Sequence, residues 1–266
     1  MIIYRRIFGN IDNKSKQRKL EEFFGIPLEP GYFSKDLDEE SIEYKAIRNY
    51  IIPFNLDDSI IGTEFTDEEI FEAEVLCFTG GRPFAYPQPE EPKFLENTYL
   101  DSCYNCGCFG DQKSDFIVKK EPNLKPNSVA TLHWVFGELF SETDLYQEFF
   151  KKMGLSRRTL KLKNGHETAK SVVQVLLPKL KRELNMNGLE FSTCPVCGRV
   201  KYTPSTIGFF PKPETEDFHI IRTREFFGSG HSADHRILLT NNVMKEMIQL
   251  KIAKIHQFVP CKFIAT

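Results

Sequence analysis

Four of the seven cysteines fall into two copies of one short pattern, Cys103-Tyr104-Asn105-Cys106-Gly107 and Cys194-Pro195-Val196-Cys197-Gly198. Two cysteines three positions apart reach one ion when the backbone folds into a tight knuckle. The glycine that follows permits the turn that aims backbone N–H groups at sulfur. Two knuckles together supply four thiolates, which close a tetrahedral site and leave no position for water, so the chemistry is structural and not catalytic. Between Cys106 and Cys194 lie 87 residues, far more than the roughly 15–20 of compact paired CxxC signatures. A long insertion is permissible because closure entropy grows only logarithmically with length. Two other readings stay open. A redox CxxC would need a strand before it and a helix after it to lower the first thiol's pKa, and the repeat is also compatible with unrelated thiols. No helix is expected directly downstream of either knuckle, and Pro204 disfavours one after the second. Cys108 reads as a bystander, and Cys77 and Cys261, in apolar stretches, read as small buried residues.

The closest histidine pair is His231 and His235, in His231-Ser232-Ala233-Asp234-His235. On a helix such a pair could share a metal and serve a hydrolase. Gly228 and Gly230 instead indicate a loop, and no Glu follows His231 as a zinc-protease helix requires, so both are expected on a loop surface. His133, beside Trp134, is expected as a satisfied core histidine in an apolar strand. No GxGxxG, GxxxxGK[ST] or GxSxG pattern occurs. The expectation is a chain that is not an enzyme.

A chain of 266 residues and 30.8 kDa, 41% hydrophobic, is long enough for one large domain or two small ones. Lys plus Arg total 35 against 37 Asp plus Glu, a net charge of −2 that argues against a dedicated nucleic-acid binder. The longest largely apolar run, residues 172–177, is far short of a membrane helix, and mean hydropathy is −0.35. The start of the chain lacks an apolar stretch after its charges, which predicts a cytoplasmic, reducing location. Two charge runs stand out. Residues 57–74 carry eight acidic side chains and no basic one, and within them Thr66-Asp67-Glu68-Glu69 fits a capping box at a helix start. Residues 151–163 carry six basic side chains and no acidic one, the basis of an alternative reading as a zinc-ribbon nucleic-acid-binding protein. That stretch lacks the interleaved aromatics of single-strand binders.

These residues must be positioned by elements that the pattern also forecasts. A helix ends at Gly25, and residues 80–92 form an irregular Pro-rich stretch. Residues 128–135 read as a strand. Ser141-Glu142-Thr143-Asp144 then caps a helix with the stripe Leu145, Tyr146, Phe149, Phe150 and Met153, closed by Gly154. A strand at 172–177 stops at Pro178, a short helix follows at 179–185, and strands are predicted at 218–222 and 236–239. Thr240 opens a helix through Val243, Met244, Met247 and Leu250, and a strand lies around 256–263. The balance predicts an α+β fold, a mixed sheet and helices around a zinc-ribbon-like site of four cysteines. Residues 1–94 are read as an acidic N-terminal α+β region and 95–266 as the domain carrying both knuckles.

The paired knuckles, the run Cys194-Pro195-Val196-Cys197-Gly198-Arg199, Pro204, the strand Phe218-His219-Ile220-Ile221-Arg222 and the strand-Thr240-helix-strand close resemble the bacterial double-CxxCG-motif family, a paralogous set noticed in myxobacteria. The resemblance covers roughly residues 95–266. Members are regarded as immunity proteins, each neutralising a cognate toxin delivered between neighbouring cells. For this chain the resemblance implies a cytoplasmic binder of a protein toxin, with Cys103, Cys106, Cys194 and Cys197 as ligands of a structural Zn²⁺ and no catalytic residue. One departure is that residues 1–102 precede the first knuckle, which lies nearer the amino end in the family. That stretch either recognises a different toxin or marks a different function.

Overall fold

A computed structural model of the chain describes residues 1–90, 93–163, 167–203, 207–214 and 217–263, so Pro204 and positions 91 and 92 of the expected irregular stretch lie outside the described residues. The chain divides into two units, Met1–Thr66 with Ser205–Gly208, and Asp67–Pro204 with Phe209–Thr266. Among the described residues no helix is long and apolar enough to cross a membrane.

In the first unit, β1 (Ile2–Ile11), α1 (Lys14–Phe24), β2 (Gly31–Asp38), α2 (Ile42–Ile47) and β3 (Asp57–Glu64) build a three-stranded antiparallel sheet of order β2-β1-β3. Alternation along β1 buries Ile7 and Ile11 and exposes Arg6 and Asn10. The inward residues meet Leu20 of α1, Phe33 of β2 and Tyr44 and Ile47 of α2 in one apolar core. Asn13 caps α1 by accepting from the Lys16 amide, and Gly25, at φ 64°, ends it as its position predicts.

The second unit begins with α3 (Asp67–Glu72), β4 (Val75–Phe78), β5 (Arg82–Pro83), α4 (Lys93–Thr98), β6 (Ile117–Val118), β7 (Val129–Leu132), β8 (Val135–Glu142) and α5 (Thr143–Glu148). It continues through β9 (Ser156–Leu162), β10 (Thr168–Leu176), β11 (Phe191–Thr193), β12 (Val200–Tyr202), β13 (Phe210–Pro211), β14 (Ile220–Arg222), β15 (Phe226–Phe227), β16 (Ile237–Thr240), α6 (Asn241–Gln249) and β17 (Phe258–Lys262). Three sheets result, of orders β5-β7-β8-β10-β9-β6, β11-β12-β15 and β13-β17-β4-β16-β14. The fold is thus mixed α+β, with helices and several sheets. The sequence places a break near residue 94, whereas the units part at Thr66. All four residues of β4 are buried, and the strand pairs with β16 and β17, which binds residues 75–78 to the last part of the chain.

Several local expectations need correction. Residues 128–135 are not one strand, because β7 and β8 pair through Leu132 and Val135 and His133-Trp134 form the turn between them, Trp134 at φ 64°. His133 is therefore half-buried in a turn, stacked 4.0 Å from the Tyr86 ring, and not a core strand residue. The helix expected over 179–185 is absent. Pro178 and Leu180 pair with Arg222 of β14 through backbone bonds of 2.8 and 2.9 Å, and the Leu184 amide donates to the Glu225 carboxylate. The spacing of Leu180 and Leu184 imitates a helical stripe, yet both are buried from a segment that is not helical. The helix expected from residue 141 to Gly154 is only partly present: α5 ends at Glu148, a 3₁₀ turn at Phe150–Met153 reaches Gly154, and the cap of α5 is Glu142, whose carboxylate accepts from the Asp144 and Leu145 amides.

Candidate metal centre

Both cysteine pairs lie at the tips of hairpin-like turns. The second follows β11 and precedes β12, with Thr193 paired to Val200. The first is flanked by an antiparallel bridge from Tyr99 to Gln112, with Tyr99 stacked 3.9 Å from Phe109. The two turns share one hydrogen-bond pattern. The Cys103 amide donates to the Cys108 carbonyl (2.9 Å) and the Gly107 amide to the Cys103 carbonyl (2.8 Å). In the second turn the Cys194 amide donates to Arg199 (2.9 Å) and the Gly198 amide to Cys194 (2.9 Å). Gly107 and Gly198 adopt φ 79° and 72°, the left-handed region in which glycine carries no steric cost.

The four sulfurs converge. Cys103 and Cys194 lie 3.9 Å apart at Sγ, Cys106 and Cys197 3.6 Å, and all four sit within 4.8 Å of one another. A disulfide requires about 2.05 Å, and none of the four forms one. A tetrahedral ion with Zn–S bonds of about 2.3 Å separates its ligands by about 3.8 Å. The donor set and its spacing fit one tetrahedral, thiophilic ion. Cys103, Cys106 and Cys194 are buried, and Cys197 is the most accessible. Within the cluster the thiols differ. The Cys194 thiol falls to about 6, chiefly because the Cys197 amide donates to its sulfur and then because the Asn105 side chain does, at 3.4 Å. Burial pushes Cys106 up.

The cations around the cluster escaped sequence reading. Lys201, in the middle of β12 and 5% exposed, directs its ammonium at three carbonyls, Cys106 (2.8 Å), Gly230 (2.7 Å) and Ser232 (3.0 Å). Each donor of the ammonium is thereby used. Arg199 reaches the Asp101 carbonyl at 2.5 Å. Four thiolates around a divalent ion carry a net charge of −2, and these two side chains place positive charge beside it. The sequence carried no signal for this, since alternation along Val200-Lys201-Tyr202 would turn the two apolar residues inward, whereas Lys201 is the buried residue of β12.

The remaining candidates disperse. Cys108 is buried beside the cluster but is not one of its four converging sulfurs. Burial pushes the Cys77 thiol up to about 11 and raises Cys261 well above its usual range, as suits small core residues. His231 is exposed and bonds through Nδ1 to the Tyr104 carbonyl (2.8 Å). His235, expected at the surface, is 3% exposed, stacked 4.4 Å from Phe226 and bonded to the Glu225 carbonyl. Desolvation, then Arg222, holds it down at about 3. The two histidines thus face different partners. The acidic run divides between β3 and α3, and the basic run between a 3₁₀ turn at Phe150–Met153 and β9, where Arg157 lies over the Tyr146 ring and Arg158 faces Asp115. Sequence reading also missed a buried polar network, in which Glu138 accepts from Tyr99, Gln174 and Arg222.

No family model, curated protein or solved structure matches this chain.

Proposed function

We propose that this chain is a non-enzymatic binding protein whose larger unit is clamped by a structural zinc, and that it works as an immunity protein that neutralises a cognate toxin by direct binding. The observation that carries this reading is the closed set of four sulfurs from two turns of one pattern. Such a set leaves an ion no open position for water or substrate. The hairpin β11-β12 with its knuckle at the tip supports a zinc-ribbon-like arrangement, and the likeness to the double-CxxCG family supplies the biological role. Asp67 and Glu68, exposed at the start of α3, are the proposed contact, because charge complementarity speeds encounter with a cationic partner.

The test is co-expression with a toxin encoded beside the gene. Restored growth and a co-purifying complex are expected, with association slowed and less salt-dependent when Asp67 and Glu68 are both changed to Lys. Undiminished toxicity and no complex with any neighbouring toxin would overturn the proposal.

A further inference from the structure

The four converging sulfurs are not equally reachable. Cys103, Cys106 and Cys194 are buried, whereas Cys197 is exposed. The second knuckle is open around it, with Val196 72% exposed and nothing within 4 Å of a Cβ added at Gly198. The first knuckle is walled, since a Cβ added at Gly107 would lie 2.2 Å from the His231 carbonyl oxygen. A small oxidant therefore meets Cys197 first. Two close sulfur contacts, Cys106 to Cys197 at 3.6 Å and Cys103 to Cys194 at 3.9 Å, run between the knuckles and not within one. The second of these is buried on both sides, and its Cys194 sulfur already accepts from the Asn105 side chain at 3.4 Å. Access and proximity coincide only at Cys106 and Cys197.

Lys201 donates to the Cys106 carbonyl at 2.8 Å and fixes that turn, so the approach from 3.6 Å to a bond of about 2.05 Å falls to the open turn of Cys197. We infer that Cys197 is a peroxide-modification site, and that its oxidation ends in a disulfide with Cys106 that expels the ion. In the first step the Cys197 thiolate attacks one oxygen of hydrogen peroxide, the O–O bond breaks, hydroxide leaves and Cys197 becomes a sulfenic acid. In the second the Cys106 thiolate attacks that sulfur, the S–O bond breaks, a second hydroxide leaves and the S–S bond forms. The two sulfurs give two electrons to one peroxide. Two thiolates remain, too few to close a tetrahedral site. Because the new bond runs between the knuckles, it replaces the metal clamp with a covalent one across 91 positions. A bond within either knuckle would instead let the turns part. The inference rests on the structural-zinc part of the proposed function and not on the toxin.

The full-length chain, its zinc content measured beforehand, is treated with increasing hydrogen peroxide while a chromogenic chelator reads released zinc. Peptide mapping by mass spectrometry locates the disulfides. The expected result is a dominant disulfide between Cys106 and Cys197, one zinc released for each such bond, and reversal of both by reductant with added zinc. Dimedone present during oxidation should label Cys197. Cys108→Ser, which removes the buried thiol in the same turn as Cys106, should change none of this. The oxidised chain should melt above the reduced chain stripped by chelator. A dominant disulfide within one knuckle or to Cys108, zinc released without a disulfide, zinc retained with all thiols reduced, or an oxidised chain no more stable than the stripped one would each overturn the assignment and leave the zinc centre standing. Absence of zinc before treatment would sink the zinc centre instead, and the disulfide map would still decide the pairing.

Discussion

The sulfurs of Cys106 and Cys197 lie 3.6 Å apart although 91 positions separate them in the chain. Neither knuckle holds more than two ligands, so an ion at this centre depends equally on both. Elemental analysis is expected to find one zinc per chain, lost from Cys103→Ser and from Cys194→Ser alike, with a chelator lowering the Tm of the native chain. Metal bound to one knuckle after the other is disabled would contradict a shared centre.

The two glycines separate backbone strain from crowding. At Gly198 an added Cβ meets nothing within 4 Å, whereas at Gly107 it would lie 2.2 Å from the His231 carbonyl oxygen. Gly198→Ala should cost only the left-handed backbone term, about 1–2 kcal/mol. Gly107→Ala must also displace the loop that Lys201 holds, so it should cost more and release zinc at lower chelator concentration. Denaturant titration and metal competition on the pair check this order.

Lys201→Met leaves three carbonyls without their ammonium. Hydrogen bonds to charged groups contribute about 1.5–3 kcal/mol each, and partial rescue by water brings the expected loss to about 2–4 kcal/mol. Lys201→Arg should not restore stability, because a planar guanidinium does not match three carbonyls converging on one point. Thermal melts of both variants with zinc bound give the measurement.

Burial raises the Asp234 carboxyl from near 3.8 to about 6, while its neighbour His235 is lowered to about 3. From about pH 4 to 6 the folded chain keeps an Asp234 proton that the unfolded chain has released, so this contribution is full below about pH 4 and is lost as pH rises through about 6. His235 acts with the opposite sign. Its neutral ring contributes fully above about pH 6.5, and that contribution is lost as pH falls towards about 3. In Asp234→Asn the side-chain oxygen can still accept from the Phe136 and Gly137 amides. The stability of this variant relative to the native chain should therefore rise by about 1.4 kcal/mol per pH unit across the window. Urea titrations over that range test it, and a flat difference would contradict a buried proton on Asp234.

Legibility in the sequence followed the range of the physics. The cysteine cluster was readable because a turn that presents two thiols is a local device, repeated with the same spacing and the same glycine. Gly25, Thr240 and Gly154 were readable for the same reason, since caps and stops act within a few residues. His235 was not, because its burial depends on Phe109 and Phe226 arriving from other segments. The path of Leu180 likewise depends on Arg222 of β14. Lys201 reads as a surface charge until two distant loops bring their carbonyls to it.

The placement of β4 carries a consequence for biosynthesis. Val75, Leu76, Cys77 and Phe78 leave the ribosome as a wholly apolar strand whose two neighbours, β16 and β17, are encoded at 237–240 and 258–262. At ordinary elongation rates that wait is on the order of ten seconds. During it the strand has both edges unpaired and offers a target to chaperones or to another nascent copy. The five-stranded sheet of the second unit is therefore completed after translation has passed residue 262.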